Sequence, residues 1–133
     1  AADLTQIAEA VLEPSHDAVG RLAPQGPSTH LSAPAAVTLA MVLHELATNA
    51  LKYGALSSPD GRLSVRWDTA PDGEVRLVWR ESGGPTVHSP SRRGFGVRFI
   101  EGALTREMGG KADFEFAPEG LCCTISFRRA ASD

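Results

Sequence analysis

Cysteine is scarce in this chain: it occurs twice in 133 residues, as the adjacent pair Cys122-Cys123. Neighbours on a strand point to opposite faces, which disfavours a bridge between them. Neither has the spacing or the histidine partners of a zinc site. Both are read as small, reduced, partly buried residues of a cytoplasmic protein. Positive charge is not in excess either. The formal net charge is −3. Adjacent arginines occur only as the pairs Arg92-Arg93 and Arg128-Arg129, and the lack of a long basic stripe argues against nucleic acid as the main partner. Long apolar runs are missing. The longest apolar-leaning stretch, Ala33 to Leu43, is interrupted by Pro34 and Thr38. It is too short to span a bilayer, so no direct membrane insertion is expected. No signal peptide is seen. No Gly-x-x-x-x-Gly-Lys-Ser/Thr run occurs, which excludes a P-loop. Strands do not alternate regularly with crossover helices, which disfavours a doubly wound dinucleotide fold.

What is present has the make-up of a globular domain, with 42% hydrophobic and 22% charged residues. The length supports one core and is too short for two ordinary domains. The first residue is Ala1 rather than Met, so a processed product or an excised fragment is expected. Leu4 to Leu12 has helical character and Pro14 ends it. Ser15 to Pro34 is rich in Gly, Pro and Ser, with short strands expected near Arg21-Leu22 and His30-Leu31. Ser32 is placed to cap the main helix, which runs from about Pro34 to Tyr53 and stops at Gly54. Arg62 to Trp67 and Val75 to Trp79 form a hairpin around Pro71-Asp72-Gly73. Ser82 to Arg93 is a loop. A helix opens at Gly94 to Gly96 and ends at Gly109-Gly110. Ala112 to Phe116 and Leu121 to Phe127 form a second hairpin around Pro118-Glu119-Gly120. This order predicts an α+β fold. It is a two-layer α/β sandwich whose mixed, mostly antiparallel sheet is covered by helices on one face.

The main helix carries His44-Glu45-Leu46-Ala47-Thr48-Asn49-Ala50-Leu51-Lys52-Tyr53-Gly54. At roughly 100° per residue, Glu45, Asn49 and Lys52 fall within about 60° of one another. Leu39, Leu43, Leu46 and Ala50 line the opposite side. Glu and Asn four apart suit a hard oxygen-liganded cation such as Mg²⁺, and a nearby Lys suits phosphate. A solvated helix face often shows the same residues, so the stripe alone is ambiguous.

Three glycine-bearing elements follow. Trp79-Arg80-Glu81-Ser82-Gly83-Gly84-Pro85 sits at a strand exit, where a carboxylate can accept from an exocyclic amine and the glycines admit a flat ring. It also reads as a plain turn. Arg93-Gly94-Phe95-Gly96-Val97-Arg98 exposes free N–H groups at a helix start, where an anion is favoured. A lone Gly-x-Gly is weak by itself. Between them, Thr86 to Arg92 reads as a lid or a simple connector. In this order the elements can bind a metal, a purine and a phosphate chain.

Together these segments resemble the catalytic ATP-binding domain of bacterial sensor histidine kinases, on the Bergerat (GHKL) fold. They resemble most narrowly the HWE group, described by His44 and by Trp79 and Glu81 in Trp-x-Glu. The likeness runs from about Gly20 to Phe127 and includes the last hairpin. It implies ATP and Mg²⁺ as cofactors. Asn49 would coordinate the metal, with Glu45 orienting water on it or polarising the attacking imidazole. Lys52 would approach the phosphates and Tyr53 would help close the pocket. Glu81 would receive the adenine amino group, with Gly83 and Gly84 beside the ring. Arg93, Gly94, Phe95 and Gly96 would flank the triphosphate, and Thr124 would reach adenine through water.

The resemblance also implies partners: a histidine-bearing dimerisation domain of the same protein, a downstream response regulator, and a homodimeric parent. No acceptor-histidine motif of that group occurs here. His16 in Pro14-Ser15-His16-Asp17 lies between Pro14 and Gly20, a poor setting for a long helix. His30 and His88 are expected in solvated loops, and His44 beside the site in a structural role. Residues 1–12 are expected to be the tail of the dimerisation region or a linker, and 1–133 one catalytic domain. Two other readings stay open: a GHKL-fold phosphotransfer or scaffold protein without kinase activity, and an anti-sigma-type serine kinase.

Overall fold

The computed structural model describes residues 2–12, 22–85 and 96–128, and only the backbone of Leu22 and Ala23. Strand β1 (Ala2–Asp3) leads directly into helix α1 (Leu4–Leu12), whose start is held by Asp3 Oδ1 accepting from the Thr5 amide at 2.9 Å. The other Asp3 oxygen accepts from the Ser28 hydroxyl. That bond leads the causes that lower the Asp3 pKa to about 2. Leu4, Ala8 and Leu12 are fully buried. The segment expected to be the tail of the dimerisation region or a linker contributes these side chains to the core.

Strand β2 (Leu22–Gln25) and the short β3 (His30–Leu31) follow. The stretch between them is pinned to the sheet by the Trp67 indole, which donates to the Pro27 carbonyl at 2.9 Å. Ser32 caps the next helix, α2 (Ala33–Lys52), its hydroxyl accepting from the Ala35 amide at 3.3 Å. This is the cap that the sequence led us to expect, with Pro34 in the first turn. Thr38, Leu39, Val42, Leu43, Leu46, Ala47 and Ala50 bury one side of α2. Tyr53 is the C-cap, and the Gly54 amide reaches the Asn49 and Ala50 carbonyls. A single 3₁₀ turn, Ala55–Ser57, comes next.

Strands β4 (Arg62–Thr69) and β5 (Glu74–Ser82) form the first hairpin, each longer than its alternating pattern suggested. Helix α3 (Val97–Met108) buries Val97, Ile100, Ala103 and Leu104. Strands β6 (Lys111–Ala117) and β7 (Gly120–Arg128) form the second hairpin. The sheet order is β2-β4-β5-β7-β6, with β2 parallel to β4 and every other pair antiparallel. A separate two-stranded sheet joins β1 to β3.

Alternate strand residues are buried: Leu63, Val65 and Trp67; Val75, Leu77 and Trp79; Leu121, Cys123, Ile125 and Phe127. They share one core with the buried faces of α1, α2 and α3, and α2 lies between the other two helices. The opposite sheet face lacks a helix layer among the described residues and carries Arg66, Arg76, Arg80 and Asp113. The expected helix-on-sheet sandwich is what forms. Val78, half-buried on the open face, accounts for the imperfect alternation of β5. Cys122 and Cys123 are both free thiols, and only Cys123 faces the core. Burial pushes the Cys123 thiol up to about 12, which keeps it neutral.

Candidate functional site

The site grows from the last three turns of α2. Asn49 is 5% exposed, and its amide donates to Glu45 Oε2 at a long 3.5 Å. The one-stripe geometry expected of these two residues is present, with Glu45 half-buried and Asn49 inside. Lys52 and Tyr53 continue the stripe and are exposed. His44, one residue aside, is exposed as well.

Gly96 brings a second element to this wall. It is the N-cap of α3, with φ of +91° in the left-handed region that favours glycine. A Cβ on Gly96 would sit 2.5 Å from Glu45 Oε2. The glycine start of α3 thus lies directly against the α2 carboxylate, and the free N–H groups and the positive end of the α3 dipole adjoin it. Arg93, Gly94, Phe95, the loop Thr86 to Arg92, His16 and His88 lie outside the described residues.

The third element is Glu81, the last buried residue of β5, at 5% exposure. Its two oxygens are held from two sides. Oε2 accepts from the Trp79 indole at 2.8 Å, and Oε1 accepts from the Ala55 amide at 3.0 Å. Burial raises its pKa, while the indole and amide donors pull it back. Gly54 packs on Oε1 so closely that any Cβ at that position would collide with it. Gly54 has an ordinary negative φ of −110°. The helix ends just before it, as expected, and the carboxylate beneath it adds a second reason for glycine at this position.

Gly83 and Gly84 follow Glu81 and run against the turn that ends α2. A Cβ on Gly84 would lie 2.6 Å from Ala55 Cα, and one on Gly83 would lie 2.5 Å from the Asp60 carbonyl oxygen. The close approach these glycines permit is thus to the protein's own 54–61 turn.

Thr124 is a correction. It stands directly opposite Val78, whereas Trp79 pairs with Cys123. Opposed residues of an antiparallel pair share a face, and Glu81 shares the face of Trp79. Thr124 therefore lies on the open face, away from Glu81, and the water-mediated contact expected of it is withdrawn. The β7 residues on the Glu81 side are Leu121, which continues the register opposite it, and Cys123, opposite Trp79. Counting by twos from the apolar Leu121 identifies this face in the sequence. Ala55 was missed, because a backbone donor leaves no trace in a side-chain motif.

The arrangement offers a cation-suited acid-amide pair beside a helix start that favours anions. It also offers an anchored acceptor just past the C-terminal end of the same helix. No family model matches the chain. The blue-light-activated histidine kinase of Brucella anthropi is 42% identical over 126 residues, which is 92% of this chain and 26% of that protein. The chain therefore spans about a quarter of the length of the curated relatives it matches. Among solved structures, the blue-light-activated histidine kinase of Erythrobacter litoralis superposes with a TM-score of 0.75 at 17% identity, covering 95% of this chain and 40% of that one. The catalytic domain of the histidine kinase ThkA gives 0.72 at 16% identity, covering 96% and 94%. ThkA in complex with the response regulator TrrA gives 0.71 at 15%, covering 99% and 42%. By sequence the chain is similar to part of the blue-light-activated histidine kinases, and by fold it matches histidine kinase catalytic domains.

Proposed function

We propose that residues 1–133 are one ATP-binding catalytic domain of a two-component sensor histidine kinase. It binds Mg-ATP and passes the γ-phosphoryl group to a histidine on a separate dimerisation domain of the same protein. A response regulator then takes the phosphoryl group onward. The observation that carries this reading is the contact of Gly96 with Glu45, which joins the acid-amide stripe of α2 to the glycine start of α3.

The residues fit a hydrated Mg²⁺. Such an ion keeps several waters, takes one or two protein oxygens and completes its shell with phosphate. Asn49 and Glu45 offer those oxygens, and the metal would supply charge neutralisation on the phosphates. In this reading Asn49 ligates through its side-chain oxygen. Glu45 orients a metal-bound water or polarises the incoming imidazole. Lys52 and Arg93 meet the phosphates, and Gly94, Phe95 and Gly96 flank them. Tyr53 closes the mouth. Glu81 accepts the adenine amino group, and Gly83 and Gly84 shape the wall beside it. Phosphoryl transfer relies on positioning and charge, which this set provides.

No helix among the described residues is long and apolar enough to cross a membrane. The ATP requirement assigns the domain to the cytoplasm, and the parent is proposed to be a homodimer through contacts made elsewhere.

Titrating the chain with ATP, with Mg²⁺ and with chelator, tests the reading. Saturable binding that tightens with Mg²⁺ is expected, and no binding in either condition would overturn it. Incubation of the chain alone with labelled ATP is expected to leave no stable phosphohistidine.

A further inference from the structure

The Glu81 carboxylate is not a loose side chain at a strand end. Each of its oxygens already holds one protein donor, the Trp79 indole at 2.8 Å and the Ala55 amide at 3.0 Å. The two donors come from different elements, the floor of the sheet and the turn that follows α2. Trp79 itself is fully buried, so its ring cannot swing to solvent. Gly54 covers Oε1 without a side chain of its own. With one lone pair of each oxygen engaged, a carboxylate retains acceptor capacity in a fixed direction and has no rotameric freedom to follow a misfit ligand. The titratable group packed beside it on β7 is Cys123, which burial keeps neutral. Burial raises the Glu81 pKa, and the indole is the first of the two donors that oppose this.

We propose that Trp79 is a specificity-determining positioning residue, whose indole N–H, together with the Ala55 amide, fixes Glu81 as an acceptor for the 6-amino group of a purine nucleotide. The inference rests on the nucleotide reading above and adds a division of labour to it. Glu81 touches the base, and Trp79 acts only through Glu81. An unanchored carboxylate would still attract an amine, but it would also turn to accept from other donors. The anchored one rewards the 6-amino group alone. A hydrogen bond to a charged acceptor is worth about ten- to a hundred-fold in affinity.

The test compares ATP with purine riboside triphosphate, which lacks only the 6-amino group, by calorimetric titration of the whole chain with Mg²⁺. The wild-type chain is expected to prefer ATP by about ten-fold or more. Trp79→Phe keeps an aromatic ring and deletes the donor. It is expected to bring the two affinities within about three-fold, mainly by weakening ATP. A purely structural role would weaken both ligands equally and leave their ratio unchanged. Gly54→Ala, which displaces Oε1 with the indole intact, provides an independent variant should Trp79→Phe fail to fold, and the same collapse of the ratio is expected. A wild-type preference that survives Trp79→Phe, or Gly54→Ala where that is the variant that folds, overturns the proposal. Equal wild-type affinity for both ligands overturns it while leaving the nucleotide site standing. Binding of neither ligand overturns the nucleotide reading itself.

Discussion

Gly96 and Glu45 are in contact across two helices: the backbone of Gly96 has φ of +91°, and a Cβ there would lie 2.5 Å from the carboxylate Oε2. Both the conformation and the space exclude a side chain. Gly96→Ala is therefore expected to cost about 1–2 kcal/mol in stability from the left-handed backbone. It is also expected to weaken ATP binding by about ten-fold by displacing Glu45 from the start of α3. Thermal melts and titration with Mg-ATP measure the two effects. A variant with wild-type affinity would show that the contact plays no part in binding.

Asn49→Ala removes a buried amide whose oxygen is assigned to the metal. Its expected signature is a loss of Mg²⁺ dependence: affinity for ATP with Mg²⁺ falls by about ten-fold or more, to the value seen with chelator. Affinity for Mg-ATP unchanged by the substitution would sink the metal assignment.

Glu45→Gln keeps the shape of the stripe and removes its charge. In the full parent protein, with its acceptor histidine, phosphoryl transfer is expected to fall by about 10²- to 10⁴-fold, while nucleotide affinity changes much less. Rapid-quench assays beside equilibrium titration separate the two. Equal losses in both would argue against a catalytic role.

Glu81 makes stability depend on pH in a definite direction. Its pKa is raised by burial above the ordinary 4.5, so the folded state binds more protons than the unfolded state above that pH. Stability then falls as pH rises from about 4.5 through the raised value. Urea unfolding at several pH values between 4.5 and 8 should show wild type losing stability relative to Glu81→Gln. A difference that stays flat over this range contradicts the assignment.

Ser32→Ala deletes the cap of α2, a hydroxyl accepting from Ala35 N at 3.3 Å. A loss of about 1 kcal/mol is expected by chemical denaturation, with ATP affinity unchanged because the cap lies at the far end of the helix from Asn49.

Local rules made much of this legible in the sequence. Ser32 and Pro34 mark the start of α2, the alternation in Arg62–Trp67 marks β4, and Glu45, Asn49 and Lys52 fall on one helix face by spacing alone. What stayed hidden is non-local. The parallel pairing of β2 with β4 leaves no periodic trace in a four-residue strand. Gly54 is legible as the helix stop, but its second constraint, the Glu81 oxygen, lies 27 residues downstream. Thr124 attracted a role by motif, and the strand register turned it to the other face. The burial of α1 was missed because a short amphipathic segment beside Pro14 looks the same whether it docks or dangles.

One helix holds both ends of the site. Glu45 meets α3, and the amide of Ala55, just past the helix end, grips Glu81. Between Glu45 and Lys52 the separation is set by helical rise, about 1.5 Å per residue. In the proposed reading the C-terminal half of α2 therefore acts as a gauge block for the ligand. A single inserted residue in it would change the gap and swing one end by about 100° relative to the other. Substitutions along this stretch are matters of chemistry, but its length in residues is a matter of dimension.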